Sequence, residues 1–232
     1  HNAGVTVVIV GISKDTQAVR KLYAMNEDRE TEVKGADNIN AYLVPAPNVF
    51  AEKKDTATSE IYTMDRGNGA TDGGNLLLSS SELSELNLSN TEQTKFIRRF
   101  YGSAEYIRGL SRYCLWIQDT DAKEASEIPS VQQRIRAVLK MRLASSKAAT
   151  RAGAEFPHRF DEKRQLGGET VIAVPRVSSE TRYYLPCGLL PPNSIVSDSA
   201  FALYDAPLWN MALIASRIHL VWIGTVCGKL KT

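Results

Sequence analysis

A chain of 232 residues with 43% hydrophobic content can bury a real core and can hold one or two domains. Three cysteines, Cys114, Cys187 and Cys227, lie far apart; this argues against a disulfide framework or a structural zinc site and fits a reducing cytoplasm. The net charge of +2 is too small to announce a nucleic-acid partner, but its distribution is uneven. Residues 26–92 carry 5 basic and 13 acidic side chains, whereas residues 93–232 carry 20 and 12. An acidic segment followed by a basic body suits a protein whose later part faces a polyanion, although ordinary solvated charge gives the same numbers.

The run Val5-Thr6-Val7-Val8-Ile9-Val10, bounded by Gly4 and Gly11, predicts a fully buried strand. Residues 18–25 predict a second strand returning antiparallel to it, and the acidic stretch 26–38 reads as a loop. Residues 39–47 read as extended, because Pro45 and Pro47 bias the residues before them away from helix. Gly67-Asn68-Gly69 and Asp72-Gly73-Gly74-Asn75 form a glycine-dense turn region; no G-K-[ST] follows, so tight backbone turns are favoured over a phosphate loop.

Ser79 with Glu82 fits a capping box for a helix near 80–87, and Asn90 with Gln93 fits another for 91–100. Residues 112–117 (RYCLWI) predict a core strand in which Trp116 packs and does not stack on a base. Pro129 opens the longest predicted helix, about 129–152, with Val131, Ile135, Val138, Leu139 and Leu143 as its apolar stripe. Arg134, Arg136, Lys140, Arg142, Lys147 and Arg151 fall mostly off that stripe and offer a basic face for phosphates; Arg159, Lys163 and Arg164 extend it or are merely solvated. From Thr170 the pattern becomes short strands (170–177, 182–187, 194–197, 200–204), then one long helix, 207–226. Arg217 and His219 interrupt that helix, so it reads as amphipathic and not as a membrane span. No signal peptide is visible. The expected class is α+β: short mixed or antiparallel sheets with several helices, two of them long (129–152 and 207–226). Both ends read as cut from a longer chain.

Several motifs occur in order. They are A-G-V-x-V-V-I-V-G from Ala3, I-N-x-Y-L-x-x-A-P-N-V from Ile39, and G-x-x-x-x-D-G-G-x-L-L-L from Gly67. Then come V-P-R-V-S-S-E from Val174, a Tyr-Pro step, S-x-S-A-F from Ser197, S-R-x-H-x-x-W from Ser216 and G-[RK]-L-K from Gly228. In these the sequence resembles the MmeI-like DNA methyltransferases, large fused type II restriction–modification enzymes. The resemblance implies that residues 1–50 are the tail of a methyltransferase domain and residues 51–232 a target-recognition domain, truncated at its C-terminus. It also implies a parent that methylates adenine N6 with S-adenosylmethionine and carries an endonuclease.

No catalytic site is legible in the chain itself. The [DNS]-P-P-[YFW] motif of amino-methylating enzymes is missing, since Pro191-Pro192 sits in LLPPNS with the wrong neighbours. There is no G-x-S-x-G elbow, and His1, His158 and His219 lack metal-ligand spacing. The fragment is therefore expected to be inactive and to hold no cofactor or metal.

Recognition of a duplex needs phosphate contacts and a few side chains at rigid positions that reach base edges. Arg176, Ser178, Ser179, Glu180, Thr181, Arg182, Tyr183 and Tyr184 form the richest such cluster, at a predicted strand end. A second cluster joins Arg217 and His219 to Lys229 and Lys231; in the resembled family, residues just after G-[RK]-L vary with the DNA site. The expected DNA-binding set is thus Arg176, Ser178, Ser179, Glu180, Arg182, Arg217, His219, Lys229 and Lys231. The expected partners are double-stranded DNA and the methyltransferase body of the parent, with no membrane. An RNA-binding module or a protein-docking domain is the alternative.

Overall fold

The computed structural model describes residues 8–15, 17–26, 28–52, 54, 61–179 and 181–226. By contact it divides into two units, His1–Glu60 with Ile218–Thr232, and Ile61–Arg217.

In the first unit, β1 (Arg20–Met25) pairs antiparallel with β2 (Thr31–Ala36), in register from Arg20 with Ala36 to Met25 with Thr31. The turn is held by Asn26, whose side-chain oxygen accepts from the Glu30 N–H at 2.8 Å, with Arg29 at φ 65°. This corrects two expectations. The acidic stretch 26–38 contains a strand, and among the described residues the 18–25 strand pairs with that strand. Val8, Ile9 and Val10 are exposed and pair with no strand among the described residues, while Val5, Thr6 and Val7 lie outside the described residues. Residues 39–47 form compact turns and no extended segment. Buried Asn40 organises them, its side-chain oxygen accepting from the Tyr42 and Val44 N–H groups at 3.0 and 3.3 Å.

The second unit begins with β3 (Asp65–Arg66) and β4 (Leu77–Leu78). Helix α1 (Ser80–Glu85) has the predicted box: Ser79 Oγ accepts from the Glu82 N–H, and the Glu82 carboxylate accepts from the Ser79 N–H. Helix α2 (Asn90–Phe96) is boxed by Ser89 with Glu92, one residue earlier than expected. It gives way at once to β5 (Ile97–Tyr101), so the predicted helix over 91–100 ends four residues early. Short α3 (Ser103–Arg108) and β6 (Tyr113–Leu115) follow, then α4 (Ala122–Glu127). Trp116 is buried edge-on to Phe160, ring centroids 5.2 Å apart.

Helix α5 runs Pro129–Leu143, and α6 (Ala148–Ala152) is separate from it, so the long helix expected to reach 152 stops at 143. The strands β7 (Val171–Pro175), β8 (Gly188–Leu189), β9 (Ser194–Val196) and β10 (Ala200–Tyr204) come next. The helix expected over 207–226 is two helices, α7 (Trp209–Ala215) and α8 (Arg217–Val226), because Ser216 is extended at ψ 147°. The strands form two four-stranded sheets, ordered β3-β10-β7-β8 and β4-β6-β5-β9. All pairings are antiparallel except β5 with β9, giving the mixed α+β class. No described helix is long and apolar enough to cross a membrane.

The apolar stripe of α5 buries Val131, Ile135 and Val138 against Leu76, Leu78, Phe96 and Leu115. Each such side chain contributes about 1.5–3 kcal/mol on full burial. The next position on the stripe is Arg142, 1% exposed, while Leu143 points outward. Arg142 Nε donates to the Thr71 carbonyl at 3.0 Å. One terminal nitrogen donates to Gly153 and Phe156, and the other to Ala70 and Arg159, all between 2.8 and 3.0 Å. Burial pushes the guanidinium down from its ordinary pKa, opposed by the nearby Asp161 and Asp72 carboxylates.

Two outcomes follow from this packing. Arg142→Met leaves five backbone carbonyls without that donor and should lower unfolding stability by about 3–5 kcal/mol. Urea denaturation checks this, and a loss under about 1 kcal/mol would contradict it. The Glu82 carboxyl is held down at about 2, chiefly by the Ser79 backbone N–H and then by Arg134. Its depressed value stabilises the fold above the unfolded pKa, and that contribution is lost as pH falls from about 4.5 toward 2. Glu82→Gln should therefore flatten the acid limb of the stability curve in that window; an unchanged limb would refute the assignment.

Candidate nucleic-acid interface

Strand β7 is buried throughout, and Arg176 is the first exposed residue after it. A rigid strand thus ends in a solvent-facing cation. Its backbone N–H donates to Ser103 Oγ at 3.1 Å, and a terminal guanidinium nitrogen donates to the Asp198 carbonyl at 3.1 Å. The guanidinium also lies 5.7 Å from the Phe201 ring centroid, where the ring quadrupole favours a cation. Three points of support fix both the backbone and the head of Arg176.

These supports come from two elements joined by hydroxyls. Ser103, at the start of α3, donates its hydroxyl to the Ser199 carbonyl, and its N–H to Ser199 Oγ at 3.3 Å. Ser199 in turn donates its N–H and its hydroxyl to Ser197 Oγ, each at 3.2 Å. The turn from β9 to β10 is anchored below by Ser197 N–H to the Tyr101 carbonyl at 2.8 Å and Asp198 N–H to the Asn68 carbonyl at 3.0 Å. Gly102 has no room for a Cβ, which would strike Ser199 Oγ and the Glu105 carboxylate. Gly67 is needed for a similar reason: a Cβ there would meet the Ser197 carbonyl. Close backbone approach, and not only turn geometry, explains that glycine; Gly73 and Gly74, at φ 62° and 82°, are the turn formers.

Beyond Arg176 the chain forms an exposed turn. Ser179 Oγ and Thr181 Oγ1 are 2.8 Å apart, and the Arg182 N–H donates to the Ser179 carbonyl at 3.3 Å. Ser179, Arg182, Tyr183 and Tyr184 are exposed. The Ser178 hydroxyl is buried, without a hydrogen-bond partner among the described residues. Arg217 lies 5.7 Å from the Tyr183 ring centroid, so this residue of the second expected cluster joins the first. Arg217 does not sit inside an apolar helix, as expected, but opens α8 after the break at Ser216 and is exposed. His219 is half-buried on α8. Glu180, Lys229 and Lys231 lie outside the described residues.

The expected basic face of the long helix is only partly taken up by internal contacts, with Arg151 exposed although bonded. Arg142 is buried, Arg134 donates to the Asn75 carbonyl and Glu82, and Arg151 donates to the Ser145 and Ser146 carbonyls. Arg136, Lys140 and Lys147 remain exposed. In the following loop, Arg159 stacks on Phe156 at 4.0 Å and pairs with Asp119, and Arg164 contacts Asp65 and Glu162. Lys163 sits 5.3 Å from the Trp116 ring centroid, and burial pushes its pKa down. The Asp119 carboxyl is held below its usual range by a hydrogen bond from His158, with Arg159 and Lys163 adding to the effect. Sequence reasoning missed Ser103, Asp198 and Phe201 as parts of the Arg176 site. The S-x-S-A-F motif was visible, but its place beside Arg176 depends on pairing β7 with β10, Pro175 opposite Ala200.

The described residues thus form an α+β domain with an exposed polar edge braced on two sides. The family described as MmeI, target recognition domain, matches residues 45–232, and the chain belongs to this family. DNA methyltransferase A of Bacillus subtilis (strain 168) is 32% identical over 232 residues, covering 100% of this chain and 26% of that protein. A solved structure of the type IIL restriction-modification enzyme MmeI in complex with DNA matches with a TM-score of 0.77 and 32% identity, covering 91% of this chain and 28% of that one. The chain thus spans 26% of the curated relative and 28% of the solved one.

Proposed function

We propose that this chain reads a short sequence of double-stranded DNA on behalf of a larger restriction–modification enzyme. The parent would methylate adenine N6 with S-adenosylmethionine, carry an endonuclease and work in the cytoplasm. Residues 1–50 would be the tail of its methyltransferase domain and residues 51–232 the recognition domain. What supports this most directly is Arg176: a cation at a buried strand's end, braced by Ser103, Asp198 and Phe201, yet exposed.

A base-reading side chain must be held rigidly, because discrimination of about 1–3 kcal/mol per bidentate contact survives only if the wrong base cannot be accommodated by a small shift. Around Arg176 the proposal places Ser179, Arg182 and Arg217 as further contacts, with Ser178 if its hydroxyl turns outward. Glu180, His219, Lys229 and Lys231 complete the proposed set. The methyltransferase body of the parent is the proposed protein partner, and S-adenosylmethionine would be held by that body.

Competition between cognate and scrambled duplexes, using the parent enzyme, tests the reading. Arg176→Ala should weaken cognate binding by about tenfold or more while changing scrambled-duplex binding much less. Equal weakening would make Arg176 a phosphate contact. Equal, weak affinity of the wild type for all duplexes would favour a docking domain, and stronger competition by single-stranded RNA an RNA-binding module.

A further inference from the structure

Strand β5 carries a cation that the Arg176 site does not use. Arg99 is the cross-strand partner of Tyr113 on β6, and alternation along β5 puts Tyr101 on the same sheet face. The Arg99 guanidinium lies 5.5 Å from the Tyr101 ring centroid and 5.9 Å from that of Tyr113, within the range at which a ring attracts a cation. Arg99 is exposed, and its side chain donates no hydrogen bond and makes no ion pair among the described residues. The carboxylate nearest to it in sequence, Glu105, is already engaged, accepting from the Gly102 N–H at 2.9 Å and from Arg112 at 3.3 Å. Residues 97–113 hold four arginines and that one carboxylate, so this part of the surface is electropositive.

Two rings therefore steady a guanidinium whose N–H donors are all unfilled. An anion with several acceptor oxygens is the ligand that such a fork matches, and pre-positioning the cation lowers the entropy lost on binding. The same strand leads to the Arg176 edge: the Tyr101 carbonyl accepts the Ser197 N–H at 2.8 Å, and Ser103 Oγ accepts the Arg176 N–H at 3.1 Å. Arg99 stands at most about 14 Å along the chain from Ser103, a span of about four base-pair steps. Resting on the reading of that edge as DNA-facing, we infer that Arg99, held between Tyr101 and Tyr113, clamps a backbone phosphate of the duplex. It contributes affinity and register for every sequence and no base preference.

The test is a salt titration of the parent enzyme on cognate and scrambled duplexes. Arg99→Gln should weaken both by one common factor, about tenfold, and make the slope of log affinity against log salt shallower by about 0.9. Arg99→Lys keeps the charge and should keep the slope. Tyr113→Leu should weaken both duplexes about two- to fivefold with the slope unchanged, and Tyr113→Phe should restore wild-type binding. Urea denaturation of each variant separates loss of the clamp from loss of the fold. An unchanged slope for a folded Arg99→Gln overturns the inference, as does a change in base preference at one position. Unaltered DNA binding with lowered stability of the parent would instead pair Arg99 with a carboxylate of the methyltransferase body. If Arg176→Ala still relaxes the motif in these cases, the clamp alone has failed; equal, weak affinity of the wild type for all duplexes would sink the DNA-reading function itself.

Discussion

The recognition unit depends on one buried cation. Arg142 enters the interior where the α5 stripe calls for an apolar residue, and it joins three chain segments through their carbonyls: Ala70 and Thr71, Gly153 and Phe156, and Arg159. Removing a guanidinium from water costs several kcal/mol. Five hydrogen bonds from the charged guanidinium to backbone carbonyls offset that cost. They also hold Thr71 at φ 42°, a conformation that a β-branched residue rarely adopts.

From this anchor, order is transmitted outward by backbone pairing. The segment fixed at Ala70 and Thr71 is continuous with Gly67, Asn68 and Gly69. The Gly67 and Asn68 N–H groups donate to the Ala200 and Val196 carbonyls at 3.0 and 2.7 Å, and Gly69 exchanges two bonds with Glu162. The Asn68 side chain adds bonds to Gln165 and to the Val196 carbonyl, and Gln165 reaches the Ser194 carbonyl. Each side-chain nitrogen and oxygen of these two buried amides has a hydrogen-bond partner, which makes the register of β9 hard to slip. The Asn68 carbonyl then receives the Asp198 N–H, so the same network sets the turn that holds Arg176. The described residues of the surface loop from 179 to 184 are held by local bonds and by the Arg217–Tyr183 contact.

The parts of this arrangement legible in the sequence are those whose signal is local. The Ser79–Glu82 box lies within four residues, and the apolar runs behind the strands predicted at 170–177, 194–197 and 200–204 are local too, whereas the strand predicted at 182–187 is irregular and the two-residue β8 (Gly188–Leu189) follows it. Strand β2 gave no signal because its residues are exposed on both faces and show no alternation. The break at Ser216 has Ala215 and Arg217 on either side, so propensity does not mark it, whereas the break after Ala144 falls at Ser145-Ser146, a weak local signal that the apolar stripe overrode. Arg142 was misread as part of a basic face, since a charged residue is expected outside unless its partners are known. Those partners are carbonyls, which carry no residue identity. Ser103 and Asp198 are separated by more than ninety residues, and only the pairing of β5 with β9 and β7 with β10 brings them to one place.

The central claim is that an edge made of the Arg176 strand end, the Ser197–Ser199 turn and the start of α3 meets DNA while the Arg142 frame behind it stays unchanged. Hydrogen–deuterium exchange of the parent enzyme, with and without its cognate duplex, tests it most directly. The account predicts new protection at residues 102–103, 176–184 and 197–199, with amides at 70–76 and 153–160 already slow and unaltered. Cognate binding that leaves 176–184 and 197–199 unchanged, with protection arising elsewhere on the domain, would contradict it.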